Sequence, residues 1–281
     1  MLNDAVPGVQ GPRWGAAWTR AAGLVWKYGP SLALVALAIA LWELLVRALD
    51  VPRYLWPTPS LVIATMSEDV DLLASATWVT VKEVVIGFAI AIFAGLAIGI
   101  TLHISATLRR AVYPILIASQ SVPTVVLAPV LVLLMGFNIG PKLAIIGLFT
   151  FFPIVVNTVD GLGSVDREYI RMMLTLDASR WSIFRRVEFP AALPLIFSGI
   201  RIGATYAAIG AVFGEWAGSD AGLGYEMLQS QGRLDTPRVF AAVILVTAIA
   251  VALFTIVSLV ERLAIPWARV GESRQGGSAM E

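Results

Sequence analysis

Five arginines and no lysine fall within residues 167–190, a stretch that separates two long apolar runs. Apolar residues recur between these arginines at helical spacing, namely Ile170, Met173, Leu174, Trp181, Phe184 and Val187. An apolar stripe flanked by arginines predicts that this stretch docks into a groove on another protein. The apolar side chains would pack in the groove, and the arginines would pair with acidic residues at its edge. The alternative is a solvated cytoplasmic loop that obeys the positive-inside rule. We call residues 167–190 the arginine segment.

Two charged residues, Arg201 and Glu215, interrupt an apolar run that follows the arginine segment. A carboxylate or guanidinium at the bilayer midplane costs at least about 2.5 kcal/mol on insertion scales, so each needs an explanation. Glu215, within "FGEWAG", is predicted to gate or line a transport pathway. The alternative is that its side chain only extends to the membrane surface, where the carboxylate is hydrated. Arg201 lies within two turns of a span end, from which its side chain reaches the headgroups.

Several chemistries are disfavoured by residues that the sequence lacks. There is no cysteine and only one histidine, His103, so disulfides, thiolate metal sites and a histidine metal cage are excluded. The carboxylates are dispersed, and no converging set of nucleophile, base or metal ligands indicates an enzyme. No phosphate-binding loop pattern is present, which disfavours nucleotide hydrolysis by this chain. A net charge of +1 gives no indication of nucleic-acid binding.

The composition is that of an integral membrane protein. Hydrophobic residues make up 58% and charged residues 14% of the chain, and the mean hydropathy is +0.82. Several apolar runs reach the length of about 20 residues that crosses hydrocarbon as a helix. We therefore predict an all-α membrane protein with about six transmembrane helices. The predicted spans are residues 30–49, 80–103, 112–135, 142–161, 193–217 and 239–260.

The basic residues predict the orientation of the chain in the membrane. Thirteen of the twenty lie at one set of span ends and five at the other, which places both termini and the arginine segment in the cytoplasm. Residues 1–29 are predicted to form a cytoplasmic segment with an interfacial amphipathic helix, 30–262 the transmembrane domain, and 263–281 a cytoplasmic tail. The apolar face of the interfacial helix comprises Trp14, Trp18, Ala21 and Val25.

The loop between spans four and five, about residues 162–192, is longer than a turn requires. Its helical spacing predicts two short helices that meet near Asp177, whose carboxylate could cap the second helix. Pro190 and Pro194 are predicted to end the loop and to begin span five.

Prolines and small residues suggest where the spans bend and pack. Prolines in spans three and four predict broken helices, with Gln120, Ser121, Pro123 and Asn157 near a pathway; ordinary kinks are the alternative. Small residues repeat every four positions in span two (Gly87, Ala91, Gly95 and Gly99) and in span five (Gly199, Gly203, Ala207 and Ala211). Static packing is favoured for span two, whereas span five is predicted to present a moving or dimer-facing surface.

The arginine segment resembles the cytoplasmic EAA coupling loop of ABC importer permeases. Aligned on "VEFP" at residues 187–190, the family glycine falls on Asp177, and the Glu-Ala-Ala falls on residues 171–173, so all four positions depart from the family pattern. "TLDASRW" and "FRRVEFPAALP" still look like the central and closing parts of this loop in the branch that serves sulfonates, taurine, nitrate and thiamine precursors. The order along the chain of four further stretches is also the one expected of the family: "WPTPS", "SVPTVVLAPVLVLLMGF", "FFPIVVNTVDGL" and "GEWAGSDAGLG". The resemblance covers roughly residues 40–265.

The resemblance implies a type I importer in the cell inner membrane. In such an importer a second permease chain, here expected to be an identical copy, completes the channel. Two ATPase subunits bind ATP and magnesium and dock on the coupling loops, and a periplasmic or lipid-anchored binding protein delivers a small-molecule substrate. ATPase closure would move the loop and, through it, spans four and five. The candidate ATPase contacts are Arg171, Met172, Met173, Asp177, Arg180, Trp181, Phe184 and Arg185.

The sequence leaves the substrate open. Aromatic residues at predicted outer positions indicate a membrane-interface belt as readily as a cargo site (Trp56, Trp78, Phe137, Trp216 and Tyr225). Residues 119–137 and 214–243 look closer to permeases for thiamine-related pyrimidines or riboflavin, which favours an aromatic heterocycle over a sulfonate, taurine or nitrate. An ion-coupled secondary transporter is the alternative from another class.

Overall fold

The computed structural model describes the backbone of residues 15–268 and the side chains of residues 29–267. Within these limits the chain is helical and contains no β-strand, which confirms the predicted all-α fold. Five helices are long and apolar enough to cross a membrane, and a strongly bent pair supplies a sixth candidate span. The helices are α1 Gly15–Ala48, α2 Pro59–Glu68, α3 Val70–Ile104, α4 Ala106–Ser119, α5 Thr124–Met135, α6 Ile139–Leu162, α7 Arg167–Thr175, α8 Arg180–Ile183, α9 Phe189–Gly218, α10 Leu223–Gly232 and α11 Thr236–Ala264.

The first helix is continuous where the sequence predicted two parts. α1 begins at Gly15 and passes through Pro30 without a break in the backbone. Trp14 lies outside the described residues, and the side chains of Trp18, Ala21 and Val25 lie outside the described side chains, so the predicted amphipathic face stays a prediction. Among residues 29–48 only Val46 is buried, which is the exposure expected of a helix that faces lipid along most of its length.

Two short helices near the ends of spans were not predicted from the sequence. α2 begins after Thr58, whose hydroxyl accepts from the N–H of Leu61, and Pro59 occupies its first turn. α10 follows a glycine-containing turn after α9. Both are ten residues long, too short to cross hydrocarbon, and so they escaped a search for apolar runs.

The predicted third span is broken. α4 and α5 are bent by 98° relative to one another across residues 120–123. Pro123 precedes α5 and supplies no backbone N–H, which favours an end to the helix before it. Gln120 and Ser121 lie within the break and are exposed, whereas Pro114 and Pro129 are accommodated inside helices. The prediction of a broken helix is confirmed at this position.

The centre of the bundle is α6, which packs between α3 and α9. Glycines of α3 meet side chains of α6: a Cβ at Gly87 would lie 2.8 Å from Ile146, and one at Gly95 2.7 Å from Ile154. These close approaches let two apolar helices pack backbone to side chain, as small-residue repeats allow in membranes. The span-two repeat therefore lies in the packed interior of the bundle, and the prediction that its packing is static stays a prediction.

The small-residue repeat of span five also faces the interior of the chain. A Cβ at Gly199 would lie 2.7 Å from both Asn157 Cβ and the Pro153 carbonyl oxygen, and Ala207 and Ala211 are fully buried. The repeat is therefore not a dimer-facing surface, because α6 already covers it, and the other alternative, that this surface moves, stays a prediction. Periodicity identified the close-packed face but could not identify which helix it meets.

We expect Gly199→Ala to lower the free energy of unfolding by about 1–3 kcal/mol, because the added methyl group forces α9 away from α6. The matched control is Gly147→Ala on α6, where an added Cβ meets nothing within 4 Å. That control should be neutral or stabilising by up to about 1 kcal/mol, since alanine favours helix over glycine. Equilibrium unfolding of both purified variants in detergent tests the difference, and equal effects would contradict the packing described.

Candidate functional site

The arginine segment forms a helical hairpin, as predicted. α7 begins after Asp166, whose carboxylate accepts from the N–H of Glu168 at 2.9 Å, and it has no buried residue. The chain turns at Asp177, which adopts a left-handed conformation with φ +59°. The cap of α8 is Ser179, whose hydroxyl accepts from the N–H of Ser182 at 3.2 Å. The prediction that Asp177 caps the second helix is therefore wrong, because its backbone forms the turn itself.

The left-handed turn explains how aspartate stands at the family's glycine position. Only glycine adopts this conformation without penalty, and Asp and Asn tolerate it better than other residues. Two turn hydrogen bonds support it, from the N–H of Asp177 to the Leu174 carbonyl and from the N–H of Ala178 to the Met173 carbonyl, each 3.1 Å. The backbone shape expected of the family glycine is thus present at Asp177.

We expect Asp177→Gly to leave the hairpin intact and Asp177→Val to destabilise it locally by about 1–2 kcal/mol, since a β-branched residue strongly disfavours positive φ. Trypsin cleavage after the exposed arginines of the segment in the purified protein measures this local stability. Leu176→Val is the matched control, because Leu176 is exposed and lies one residue before the left-handed position. A cleavage rate for Asp177→Val equal to that of the control would contradict the turn.

The hairpin does not end at Pro190. α8 continues through a π-helical turn, Phe184–Glu188, directly into α9, so that Arg180–Gly218 forms one path of 39 residues. Pro190 is the second residue of α9, directly after the π-helical turn, and Pro194 lies inside α9, so both prolines are accommodated within the continuous helical path. The prediction that these prolines end the loop is wrong. The second half of the arginine segment is instead a helical extension of span five.

The arginines of the segment are unpaired within the described residues. None of the five makes an ion pair with a carboxylate of residues 29–267. Of the eight predicted contact residues, six are exposed, namely Arg171, Met172, Asp177, Arg180, Trp181 and Arg185. The other two, Met173 and Phe184, are half-buried, and the ring of Phe184 stacks on Trp181 with centroids 5.5 Å apart. The hairpin presents positive charge and aromatic surface together.

Glu215 occupies a second site, at the opposite end of α9. Its carboxylate is fully buried and accepts from the Thr80 hydroxyl at 2.6 Å and from the N–H of Gly224. Thr80 in turn accepts from the N–H of Leu223 at 2.9 Å. Gly222 adopts φ +113° directly beside the carboxylate, in a position where any Cβ would collide with it. Glu215 therefore fixes the turn that leads from α9 into α10.

A buried ion pair lies beside Glu215. Lys142 Nζ of α6 donates to Glu83 Oε1 of α3 at 2.6 Å and to Ser219 Oγ at 2.7 Å. Ser219 Oγ donates onward to the Ala221 carbonyl at 2.6 Å, in the same turn that Glu215 holds. We call Thr80, Glu83, Lys142, Glu215 and Ser219 the buried network. It joins α3, α6 and α9 at the end of the bundle away from the arginine segment.

The sequence analysis found only Glu215 of this network. Lys142 is one of the five basic residues counted at the second set of span ends, and Glu83 was not singled out, although opposite charges within two apolar runs are a signal for an intramembrane pair. The other flagged charge, Arg201, pairs with Glu261 of α11 at 3.0 Å. This ion pair compensates the charge of Arg201 within the membrane, whether or not the side chain also extends to the headgroups.

The remaining predicted pathway residues do not lie together. Gln120, Ser121 and Pro123 share the break between α4 and α5, and all three are exposed. Asn157 is half-buried within α6, where its Nδ2 donates to the Pro153 carbonyl at 2.8 Å. Glu215 is enclosed by the buried network. Of the predicted pathway residues, those in the break between α4 and α5 are therefore the ones exposed on the surface of a single chain.

Known proteins resemble the chain over most of its length. The formylaminopyrimidine transport permease protein ThiX of Halalkalibacterium halodurans is 36% identical over 239 residues, which cover 85% of this chain and 95% of that protein. The riboflavin transport system permease protein RibX of Chloroflexus aurantiacus is 35% identical, with 85% and 91% covered. The putative aliphatic sulfonates transport permease protein SsuC of Bacillus subtilis is 30% identical, with 86% and 89% covered.

The fold is also that of a solved transporter. A chain in an inward-facing structure of the MetNI methionine ABC transporter superposes with a TM-score of 0.60 at 18% identity, covering 70% of this chain and 97% of that one. Residues 87–270 match the family described as binding-protein-dependent transport system inner membrane component. That range contains the arginine segment, the break between α4 and α5, and Glu215. The chain therefore belongs to this family, the membrane-spanning permeases of ABC importers.

Proposed function

We propose that this chain is the permease subunit of an ATP-driven importer and passes a small organic solute into the cytoplasm. The observation that carries the proposal is the arginine segment, an exposed hairpin that continues as one helical path into α9. Its five arginines have no ion-pair partner among residues 29–267. A displacement of α8 by a docked subunit would move α9 directly, and α9 packs against the central helix α6. The segment has the charge, the apolar stripe and the mechanical connection that docking of a motor subunit requires.

The partners follow from this role. Two ATPase subunits carry ATP and magnesium and receive the arginine segments of two permease chains. The distribution of basic residues supports a cytoplasmic position for the segment and both termini. α10 and the buried network then lie toward the outer side, where a periplasmic or lipid-anchored binding protein delivers the solute.

A second copy of the chain completes the pathway in this proposal. The face of α5 carries a run of exposed apolar side chains beside the exposed break: Val125, Val126, Val130, Leu133 and Leu134. We place the translocation pathway along this face between the two copies, with Gln120 and Ser121 at its wall. Asn157 and Glu215 then act from within each copy, Glu215 by holding the outer turn after α9.

The proposed cargo is a thiamine-related pyrimidine or a similar aromatic heterocycle. The similarity to ThiX and RibX, whose names specify formylaminopyrimidine and riboflavin, supports this choice over a sulfonate. A thermal-shift screen of the binding protein encoded beside this chain distinguishes the two classes. We expect stabilisation by formylaminopyrimidine or riboflavin, whereas stabilisation by taurine or an alkanesulfonate alone would reject the heterocycle.

The transport class is tested by reconstitution. The permease, its ATPase and its binding protein are placed in liposomes, and solute uptake is followed with ATP or with a non-hydrolysable analogue. We expect uptake only with hydrolysable ATP, and no loss when ionophores collapse the ion gradients. Uptake that ignores ATP but disappears with the ion gradients would replace the importer with a secondary transporter.

A further inference from the structure

A single polar contact joins the end of α3 to the junction between the arginine segment and span five. His103 lies in the last turn of α3, and Glu188 ends the π-helical turn before α9. His103 Nε2 lies 3.2 Å from Glu188 Oε2, so the imidazole can donate to the carboxylate. Both side chains are largely buried, at 16% and 13% exposure.

The space around this contact is open. A cavity of about 430 Å³ lies between the end of α3 and α8, lined on one side by His103 and Ile104 and on the other by Arg180, Trp181 and Phe184. Because the two elements are not closely packed here, apolar contact alone does not fix their separation. The imidazole–carboxylate contact lies at the edge of the gap and bridges it.

The elements on either side of the contact are locally well held. Ile183 at the end of α8 and Ala192 in the first turn of α9 are fully buried. On the other side, α3 passes into α4 through Ser105, whose hydroxyl accepts from the N–H of Leu108 at 3.3 Å. A displacement of the end of α3 is therefore passed to α4, and α4 leads to the bend before α5.

We propose that His103 and Glu188 form a positioning pair that makes α3 and α4 follow the movement of the arginine segment. The inference rests on the proposed importer function and assigns to it a second mechanical route, beside the direct continuation of α8 into α9. Glu188 ends a π-helical turn, a rare feature that occurs frequently at functional sites. The pair touches neither cargo nor nucleotide.

The test is the number of ATP molecules hydrolysed per solute imported in the reconstituted complex. His103→Ala and Glu188→Ala should each raise this ratio by about tenfold, the size expected from loss of one hydrogen bond to a charged group. ATPase binding should persist, because the arginines are untouched. The exchanged double variant, His103→Glu with Glu188→His, should return the ratio to within about twofold of the original protein.

Thr101→Val is the matched control, since Thr101 is exposed on the same turn of α3 and its hydroxyl donates only to the Ala97 carbonyl. It should leave the ratio unchanged. An unchanged ratio in the single variants, or an exchanged variant no better than they are, would overturn the positioning pair while leaving the importer function in place. Failure of the original protein to show ATP-driven uptake would instead remove both proposals.

Discussion

Lys142→Met should lower the free energy of unfolding by about 3–5 kcal/mol, the loss typical of a buried ion pair from which one partner is removed. Lys142 is the only hydrogen-bond donor to Glu83 among the described residues, and both side chains are buried. Methionine preserves the length of the side chain but leaves the Glu83 carboxylate in an apolar bundle without compensation. The loss of the contact to Ser219 also loosens the turn after α9.

The companion variants separate charge from packing. Lys82→Met removes an exposed lysine one residue before Glu83 and should change stability by less than about 0.5 kcal/mol. The double variant Glu83→Gln with Lys142→Met removes both charges and should recover most of the loss. Equilibrium unfolding in detergent measures all three. If Lys142→Met were as stable as Lys82→Met, the buried ion pair would not exist in the native protein.

Reversal of two charges on the arginine segment should have the largest effect on transport. In Arg180→Glu with Arg185→Glu, both exposed guanidinium groups become carboxylates, and any acidic surface on the ATPase then repels them. We expect the ATPase to be lost from the purified complex and ATP-driven uptake to fall by more than about tenfold. Insertion and folding should be unaffected, because neither arginine has a partner among the described residues.

The control for this prediction reverses the same number of charges, two arginines, in the neighbouring part of the chain. Arg109 and Arg110 are exposed on α4, which follows directly from the end of α3 beside the arginine segment. Arg109→Glu with Arg110→Glu should retain the ATPase. Equal loss in both double variants would attribute the effect to the general charge of the surface, and retention in both would remove the arginines from the docking site.

The sequence predicted the features that depend on local pattern. Apolar runs located the spans, and helical spacing located the hairpin in the arginine segment. Two predictions within the hairpin, the cap of α8 and the role of Pro190, were wrong because the alternative local conformations differ little in free energy. Asp177 and Ser179 are both good capping residues, and only the left-handed turn at Asp177 decides between them. Pro190 breaks a helix in most positions, but here it follows the π-helical turn and the helical path continues through it.

The opposite charges of Glu83 and Lys142 were a signal for a buried pair, but the sequence could not show how the network assembles, because that depends on the rotation and depth of three helices. The cost of a charge in the membrane marked Glu215 as unusual, but the chemistry of its surroundings came from Thr80 and the glycine turn. The same limit applies to Gly199 and its neighbours, whose spacing showed a close-packed face without showing that α6 covers it. A single sequence gives the faces of helices but not their partners.

Cross-linking from the arginine segment to the ATPase tests the central proposal most directly. The chain contains no cysteine, so Met172→Cys introduces a single thiol on the exposed face of α7. Phe137→Cys provides a control that is at least as exposed, at the opposite end of α6. With a short thiol-reactive cross-linker in native membranes, the account predicts an adduct with the ATPase at Met172→Cys and none at Phe137→Cys. A complex that imports its solute while Met172→Cys forms no such adduct would contradict it.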